Sequence, residues 1–408
     1  MPRQLILVAV LVCLGAALRL GNLGNERART PDERVYTHQA RMWLENGPAG
    51  IRSLVEQYKS DPNVRLYPAP VRVGMIRLVA AAIEWTGHND ESAFAMISCA
   101  ASIGSLLVLA LLATRFLPAW AGLAALLFYV TLPAELAIAR RTWPDSLLEL
   151  AGLLLVYFMC EIARDSKPRI WYLLFAIVGA LGILVKESMP LPQGLCAAWI
   201  LLVLVKRKEW TNILILASAT AAGLSLSLWW LSNYVGSLSE YVEIVAWISR
   251  SNAVNPYALE YASGPGYLLL QAFWIVTPVA SLLSLAGLWS LSRKPNDMPN
   301  GWEPLWGVAF FTLAHIAIGV IVPHWLNLRY VSATFGPFCL LAGLGILYLV
   351  REGSRWLELS DPRPLAGLAI ALILGSAFTD YRYFERVFVR DATADLSIKM
   401  LLDEQNRP

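Results

Sequence analysis

The sequence predicts an all-α integral membrane protein with about eleven membrane-spanning helices. Hydrophobic residues make up 57% of the 408-residue chain and charged residues only 15%, whereas about a quarter of the residues in a soluble domain are charged. At roughly 20 residues per span, eleven helices need about 220 residues, which leaves room for two or three long loops. The net charge of +3, without a basic stripe, gives no reason to expect a nucleic-acid partner.

Eleven apolar runs supply the predicted spans. The first run, from Leu5 to Leu18, is short enough to resemble a signal peptide, but no convincing cleavage site follows it. Arg19 at its end can snorkel to the interface, so we expect a retained first helix. No internal repeat is evident, so an inverted-repeat transporter gains no support. The spans lie near residues 4–20, 93–115, 119–138, 147–162, 170–186, 190–205, 211–231, 266–291, 304–322, 328–350 and 364–379.

Basic residues in the short loops predict the orientation of the chain. With the N-terminus inside, the short outer loops hold only Arg140, Arg141, Lys186 and Arg329. The inner loops then hold Arg3, Arg115, Arg164, Lys167, Arg169, Lys206, Arg207, Lys208, Arg293, Lys294, Arg351, Arg355 and Arg363. This excess of inner basic residues predicts a cytoplasmic N-terminus.

We expect residues 1–408 to form a single multi-pass domain in the inner membrane of a prokaryote. Loops 21–92 and 232–265 and a short tail, 380–408, would then face the outer side. The cysteines give no sign of a metal or cofactor, because all lie inside apolar spans and no two have the spacing of metal ligands. We therefore expect buried thiols, no disulfide and no metal site at Cys13, Cys99, Cys160, Cys196 and Cys339.

Ionisable residues near the spans collect at the predicted outer ends. Such residues are costly at membrane depth, so they indicate function. Together they place carboxylates and cations over a hydrophobic floor, which suits a substrate with an apolar tail and an anionic head. They are Asp32 and Glu33 in the first outer loop, and Arg140, Arg141, Asp145, Lys186, Glu187, His324 and Arg329 at span ends.

The first outer loop begins with a helix-start pattern, Thr30-Pro31-Asp32-Glu33. Thr occupies the N-cap, Pro the first helical position and Glu the third, which together form a capping box. Negative charge also stabilises a helix start. The two acidic residues therefore have a purely structural explanation as well as a functional one.

Two amphipathic surface helices are predicted in this loop. The first places Arg34, His38, Arg41 and Glu45 on one face and Tyr36, Ala40 and Trp43 on another, as expected for a helix that rests on a membrane. An extended segment containing Tyr67 follows. A second, mostly apolar helix then runs from Val71 to Trp85.

The order of these motifs resembles the GT-C glycosyltransferases, with the nearest resemblance to the protein O-mannosyltransferase and lipid A aminoarabinose transferase branch. The acidic pair is followed by Tyr36, three residues after the glutamate. The later motifs are ARRTWPDSLLE (139–149), LGILVKES (181–188), GPGYLLL (264–270) and NLRYVSATFGP (327–337). The resemblance covers most of the chain to about residue 350, and Glu187 departs from it where a small residue is expected.

The resemblance implies an enzyme that transfers a hexose or pentose from a polyprenyl-phosphate carrier to a lipid, glycan or protein acceptor on the outer side. It implies that Asp32 is the general base of an inverting displacement and that Glu33 orients Asp32 or the acceptor. Lys186 and Arg329 would neutralise the leaving phosphate. Asp145, Arg141 and Tyr67 are further candidates for substrate binding. This branch implies no metal, although Asp32, Glu33 and Asp145 could bracket a divalent cation, as in some distant members of the superfamily.

Structural roles remain open for the same residues. Lys186 could pair with Glu187 or snorkel, Arg329 could be an interfacial anchor, and Asp145 could simply complement the start of a helix. Arg140 and Arg141 could be ordinary loop charges, and His324 an interfacial residue. Arg250, in the second long loop, is a weaker candidate for a phosphate contact.

Two other functional classes are open. A transporter or flippase of a lipid-linked or anionic substrate would place charges near mid-span and use broken, paired helices. A polysaccharide polymerase or ligase would favour a large outer loop late in the chain, whereas the largest loop here comes first.

We predict that loop 21–92 faces outward. A cysteine introduced at Asn63 should react with an impermeant thiol reagent in cells whose outer barrier has been opened, because this residue would lie outside the inner membrane. A cysteine at Lys167, in a predicted inner loop, is the matched control and should react only after lysis. Labelling at position 63 that requires lysis would reverse the topology.

Overall fold

The structure is a computed structural model that describes residues 2–21, 23, 30–87, 91–293, 298–322, 326–361, 363–391, 393 and 395–405. This part of the chain is helical, with one isolated antiparallel bridge between Asn327 and Ser397. Short 3₁₀ segments lie at Val64–Leu66 and Leu328–Thr334, and a π-helical turn at Glu385–Arg390. The α-helices are α1 (Pro2–Leu20), α2 (Pro31–Ser60), α3 (Val73–Thr86), α4 (Glu91–Phe116), α5 (Ala119–Thr131), α6 (Pro133–Ile138), α7 (Asp145–Arg164), α8 (Ile170–Val185), α9 (Pro190–Lys206), α10 (Trp210–Val235), α11 (Leu238–Val254), α12 (Pro256–Tyr261), α13 (Tyr267–Val276), α14 (Pro278–Ser292), α15 (Glu303–Ile321), α16 (Phe335–Trp356), α17 (Arg363–Phe384) and α18 (Ile398–Gln405).

Each predicted span falls on one of these helices or on a bent pair of them, except that span 328–350 begins in the 3₁₀ segment Leu328–Thr334 and continues in α16. Among the described residues, six helical segments are long and apolar enough to cross a membrane, and the bent pairs α5–α6 and α13–α14 raise this number to as many as eight. The apolar helices α1, α8 and α9 are shorter than that test requires. The all-helical class is confirmed, and the count of eleven spans stays a prediction.

Proline accounts for both bends. α6 starts at Pro133 and α14 at Pro278, and each proline lacks the N–H that would continue the preceding helix. The residue before each proline, Leu132 or Thr277, has left helical geometry, as steric contact with the proline ring favours. The axes turn by 54° between α5 and α6 and by 116° between α13 and α14.

The two helices predicted in the first outer loop are present as α2 and α3. They pack against each other through Tyr36 and Ala40 of α2 and Met75 and Val79 of α3, all buried. α2 is longer than the predicted pattern and is interrupted at Gly47, where φ is +56°, a conformation that favours glycine. Their position on a membrane surface stays a prediction.

α7 has a cluster of charged residues at each end. It packs against α4, α8, α9 and α15. Asp145 is its first residue, and Glu161, near its last turn, accepts hydrogen bonds from Arg115 and Arg164. Residues 145 and 161 are about 24 Å apart along an ideal helix axis. The two clusters therefore mark opposite ends of the bundle, and that of Glu161 lies at the end predicted to be cytoplasmic.

Close backbone contact joins α14 to α16. A Cβ atom at Gly345 would overlap the carbonyl oxygen of Leu283, and one at Gly287 would overlap that of Leu341. Glycine at these two positions therefore lets the helices approach at backbone distance, as small residues do between membrane helices.

The structure contradicts two predictions, the snorkelling of Arg19 and the burial of Cys13. Arg19 does not snorkel: it is fully buried, with its Nη2 atom 3.7 Å from the carboxylate of Glu135. Ser102 accepts a hydrogen bond from Arg19, because α1, α4 and the α5–α6 break meet at this level. Cys13 is exposed on the outside of α1, whereas the four other cysteines are buried as predicted.

Candidate active site

A partly buried ion pair joins the start of α2 to the 3₁₀ segment Leu328–Thr334. Both Nη atoms of Arg329 donate to Oδ2 of Asp32 at 3.2 Å. The Asp32 side chain is 27% exposed and that of Arg329 is 13% exposed. The guanidinium group of Arg329 also lies 4.9 Å from the centre of the Trp143 ring, a cation–π distance.

A second, buried ion pair lies beside the first. Lys186, the residue that ends α8, donates from Nζ to Oδ1 of Asp145 at 2.5 Å. These side chains are only 7% and 2% exposed. Lys186 and Arg329 each lie 5.3 Å from the centre of the Tyr330 ring. The two cations therefore belong to one site, and the Asp32–Arg329 pair is its more accessible half.

Glu33 is fully buried and ties α2 to the loop before α7. Its carboxylate accepts hydrogen bonds from the Thr30 N–H at 2.8 Å, as in a capping box, and from the Thr142 N–H at 3.1 Å. Arg141 donates to it from Nη1 at 3.3 Å. The predicted helix start is confirmed, and these contacts favour a positioning role for Glu33 over direct contact with substrate.

Sequence reasoning missed Arg72. It precedes α3, donates to both carboxylate oxygens of Glu187, and also contacts the Tyr36 hydroxyl. Burial opposes ionisation of Glu187, but the charge and hydrogen bonds of Arg72 outweigh it and lower the pKa of this carboxyl group. Glu187 therefore pairs with Arg72, and the pairing of Lys186 with Glu187 that was left open is replaced by Lys186–Asp145.

The other candidates are placed less centrally. Tyr67 is 44% exposed, and no contact of the described residues joins it to the two ion pairs; its segment is held to α2 by a hydrogen bond from Gln39 to the Pro68 carbonyl, at 2.9 Å. Arg140 is buried, 5.5 Å from the ring centre of Phe384. Arg250 lies on the exposed side of α11. The prediction for His324 lies outside the described residues.

The carboxylates at the site face cations. Asp32, Glu33, Asp145 and Glu187 each contact a guanidinium or ammonium group. In the described part of the chain, no three His, Cys, Asp or Glu side chains come together as metal ligands. The arrangement can hold an anion through Lys186 and Arg329 and offers one partly exposed carboxylate, that of Asp32, beside it.

Comparisons with known proteins agree on the fold. The family model described as dolichyl-phosphate-mannose-protein mannosyltransferase matches residues 69–231. The structure resembles that of ArnT from Cupriavidus metallidurans bound to undecaprenyl phosphate, with a TM-score of 0.57 and 15% identity over 97% of this chain and 75% of that chain. No curated protein matches the sequence.

A second similar structure is the archaeal oligosaccharyltransferase AglB from Archaeoglobus fulgidus, in complex with an inhibitory peptide and a dolichol-phosphate. Its TM-score is 0.64, with 11% identity over 97% of this chain. This chain spans little more than half of AglB, 56% of its length. The fold of this chain is that of the GT-C glycosyltransferases, the superfamily that the order of its sequence motifs predicts.

Proposed function

We propose that this protein is an inverting glycosyltransferase that moves a sugar from a polyprenyl-phosphate carrier to a lipid, glycan or protein acceptor at the outer face of the membrane. The observation that carries the proposal is the partly exposed Asp32–Arg329 pair beside the buried Lys186–Asp145 pair. The matching mannosyltransferase family model and the GT-C fold support the reaction class. The similar ArnT and AglB structures contain undecaprenyl phosphate and a dolichol-phosphate, which supports the carrier class.

Lys186 and Arg329 would hold the donor phosphate. Negative charge grows on this group as the sugar leaves, and preorganised cations stabilise it. Arg329 can offer a bidentate fork and Lys186 a point charge. The phosphate must share cations that already have carboxylate partners, and the more exposed Asp32–Arg329 pair can open at lower cost than the buried one.

Asp32 would be the general base. Both Nη atoms of Arg329 bind Oδ2, so Oδ1 of this partly exposed side chain is available for the nucleophile of an acceptor. The nucleophile attacks the anomeric carbon and gives its proton to Asp32. The bond from that carbon to the phosphate oxygen breaks, and its electron pair leaves with the polyprenyl phosphate. One direct displacement inverts the anomeric carbon.

The remaining residues would support these two. Glu33 and Arg141 fix the start of α2, and with it Asp32, against the loop before α7. Asp145 holds Lys186 in place from the first turn of α7. Tyr67 stays a candidate for contact with the sugar or the acceptor, because it is half-exposed in the same outer loop.

A transporter or flippase remains the second candidate, because two bent helix pairs and the buried Arg19–Glu135 pair are features of that class. However, Arg19 lies in the last turn of α1 and Glu135 in α6, directly before the loop that carries Arg141. These charges therefore lie close to the active-site end of their helices. Sugar transfer in detergent, where no membrane separates two compartments, distinguishes an enzyme from a transporter.

We predict that Asp32→Asn separates catalysis from helix capping. Asparagine keeps an oxygen that can accept from Arg329, but it loses the helix-dipole contribution, about 0.3–1 kcal/mol, and the charge of the partly exposed ion pair, worth about 0–1 kcal/mol; it cannot act as the base. Transfer from a purified polyprenyl-phosphate sugar should therefore fall by about two to four orders of magnitude, with only a small fall in the melting temperature.

Glu45→Gln, an exposed carboxylate on the same helix, is the matched control and should transfer sugar at the wild-type rate. Glu33→Gln is a second comparison and should lower the melting temperature, because it removes the charge that faces buried Arg141. A stable Asp32→Asn enzyme with nearly full activity would make Asp145 the next candidate base.

We predict that Lys186→Ala and Arg329→Ala each weaken use of the donor. Loss of one phosphate contact should cost roughly 2–4 kcal/mol of transition-state stabilisation, by analogy with a lost oxyanion-hole donor. The measurement is kcat/KM for the polyprenyl-phosphate sugar, with the melting temperature followed in parallel.

Lys206→Ala removes a lysine that also pairs with a carboxylate, Glu303, but on the far end of the bundle, and should leave transfer unchanged. Because Lys186→Ala leaves buried Asp145 without its partner, the double variant Lys186→Met/Asp145→Asn tests the same contact with no uncompensated charge. Wild-type transfer by Arg329→Ala and by this double variant would require that the phosphate bind elsewhere.

A further inference from the structure

The end of the chain is docked against the segment that carries Arg329. Ser397 pairs with Asn327 in the antiparallel bridge. The Leu328 N–H donates to the carbonyl of Leu396, and the Ile398 N–H donates to that of Leu326, each at 3.1 Å. Residues 396–398 are fully buried. We call residues 395–398 the tail clamp, and α18, which follows, packs against α12 and α13.

Asp395 is the polar centre of the tail clamp. Its Oδ1 atom accepts hydrogen bonds from Nδ2 of Asn327 at 3.0 Å and from the N–H of Leu396 at 2.7 Å. Its Oδ2 atom accepts the hydroxyl hydrogen bond of Tyr257. Burial opposes ionisation of Asp395, but the charge of Arg329 and the hydrogen bonds of Tyr257 and Asn327 outweigh it and lower the pKa of this carboxyl group.

Asp395 fixes which way the Asn327 amide points. An ionised carboxylate can only accept hydrogen bonds, so the donor end of the amide, Nδ2, must face it. The acceptor end, Oδ1, then faces the other way and takes the N–H of Arg329 at 3.0 Å. This bond caps the 3₁₀ segment Leu328–Thr334, as side-chain acceptors do at helix starts.

We propose that Asp395 is a positioning residue for Arg329, acting through Asn327, so that the tail clamp forms part of the donor-phosphate site. The inference rests on the proposed function, in which Arg329 binds the phosphate. A second hydrogen bond also links the tail to the site: Arg141 donates from Nη2 to the Thr393 carbonyl at 3.3 Å. The tail therefore contacts both the segment that carries Arg329 and the arginine that pairs with Glu33, through residues that sequence reasoning placed in an ordinary outer tail.

Two substitutions at Asp395 separate hydrogen bonding from charge. In Asp395→Asn, Oδ1 can keep its bonds from Asn327 and Leu396, and the new NH₂ group can donate to the Tyr257 hydroxyl, which also accepts. Asp395→Ala removes the acceptor and lets the Asn327 amide turn. Asp403→Asn, on the exposed side of α18, is the control.

The first experiment is a double-mutant cycle with Arg329, measured as kcat/KM for the polyprenyl-phosphate sugar on the full-length protein. Asp395→Ala should lower kcat/KM roughly tenfold, the order of a lost buried hydrogen bond. In an Arg329→Ala background the same substitution should lower kcat/KM by less than about twofold, because the effects of residues that act through one another are not additive. Asp395→Asn should recover most of the loss, and Asp403→Asn should have no effect.

Equal losses in both backgrounds would overturn the proposal, because a general structural role would act independently of Arg329. Asn327→Ala is the second variant should Asp395→Ala fold poorly. Asn327→Ala removes the side chain that links Asp395 to Arg329. It should lower kcat/KM as Asp395→Ala does, and adding Asp395→Asn should lower it no further.

The second experiment does not depend on catalysis. Hydrogen–deuterium exchange at the amides of Leu328 and Arg329 should speed up in Asp395→Ala and not in Asp403→Asn, because the first turn loses its cap. Unchanged exchange in Asp395→Ala would overturn the positioning role whatever the enzyme does. If exchange is faster in Asp395→Ala but the wild-type protein transfers no sugar, the coupling is upheld and the proposed function is rejected.

Discussion

The buried ion pair between Lys186 and Asp145 sets the geometry of the site. Both groups lie out of solvent at the junction of α8 and α7, where an unpaired charge costs several kcal/mol. The end of α8 is therefore bound to the start of α7. The same constraint recurs nearby, where Arg72 meets Glu187 and Arg141 meets Glu33. Together these pairs connect α2, the start of α3, the loop before α7 and the end of α8, and we call this connected set the rim.

Under the proposed function, this rim would let an apolar bundle bind an anionic substrate. The helices of the bundle are apolar, as a polyprenyl chain would require, and Asp32, Glu33, Asp145 and Glu187 at the rim already face cations. A phosphate would therefore compete with a carboxylate for its cation. The pair with the largest exposed fraction, Asp32–Arg329, is the one that can yield to it, and its separation would free Asp32 beside the reacting carbon. Binding of the donor and activation of the base would then be one event.

Sequence patterns predicted features that depend on neighbouring residues and did not predict contacts between residues far apart in the chain. The capping box at Thr30–Glu33 is set by neighbouring residues and the spans by hydrophobic runs, so both could be predicted along the chain. The breaks at Pro133 and Pro278 are equally local, but spans 119–138 and 266–291 were predicted without them. Arg72 and Glu187 are 115 positions apart, and Asn327 and Asp395 are 68 apart. No periodicity links such residues, because their contact depends on how helices pack. Arg19 was misjudged for the same reason, since only packing brings Glu135 to it.

If this protein consumes a polyprenyl-phosphate-linked sugar, as we propose, its unused donor should build up in cells that lack the protein. Mass spectrometry of polyprenyl lipids tests this in cells that lack the gene, compared with cells complemented by the wild type or by Asp32→Asn. We expect one polyprenyl-phosphate sugar to accumulate in the deletion strain, to fall with the wild type and to stay high with Asp32→Asn. An unchanged lipid profile in the deletion strain would exclude this activity, and full restoration by Asp32→Asn would exclude Asp32 as the base.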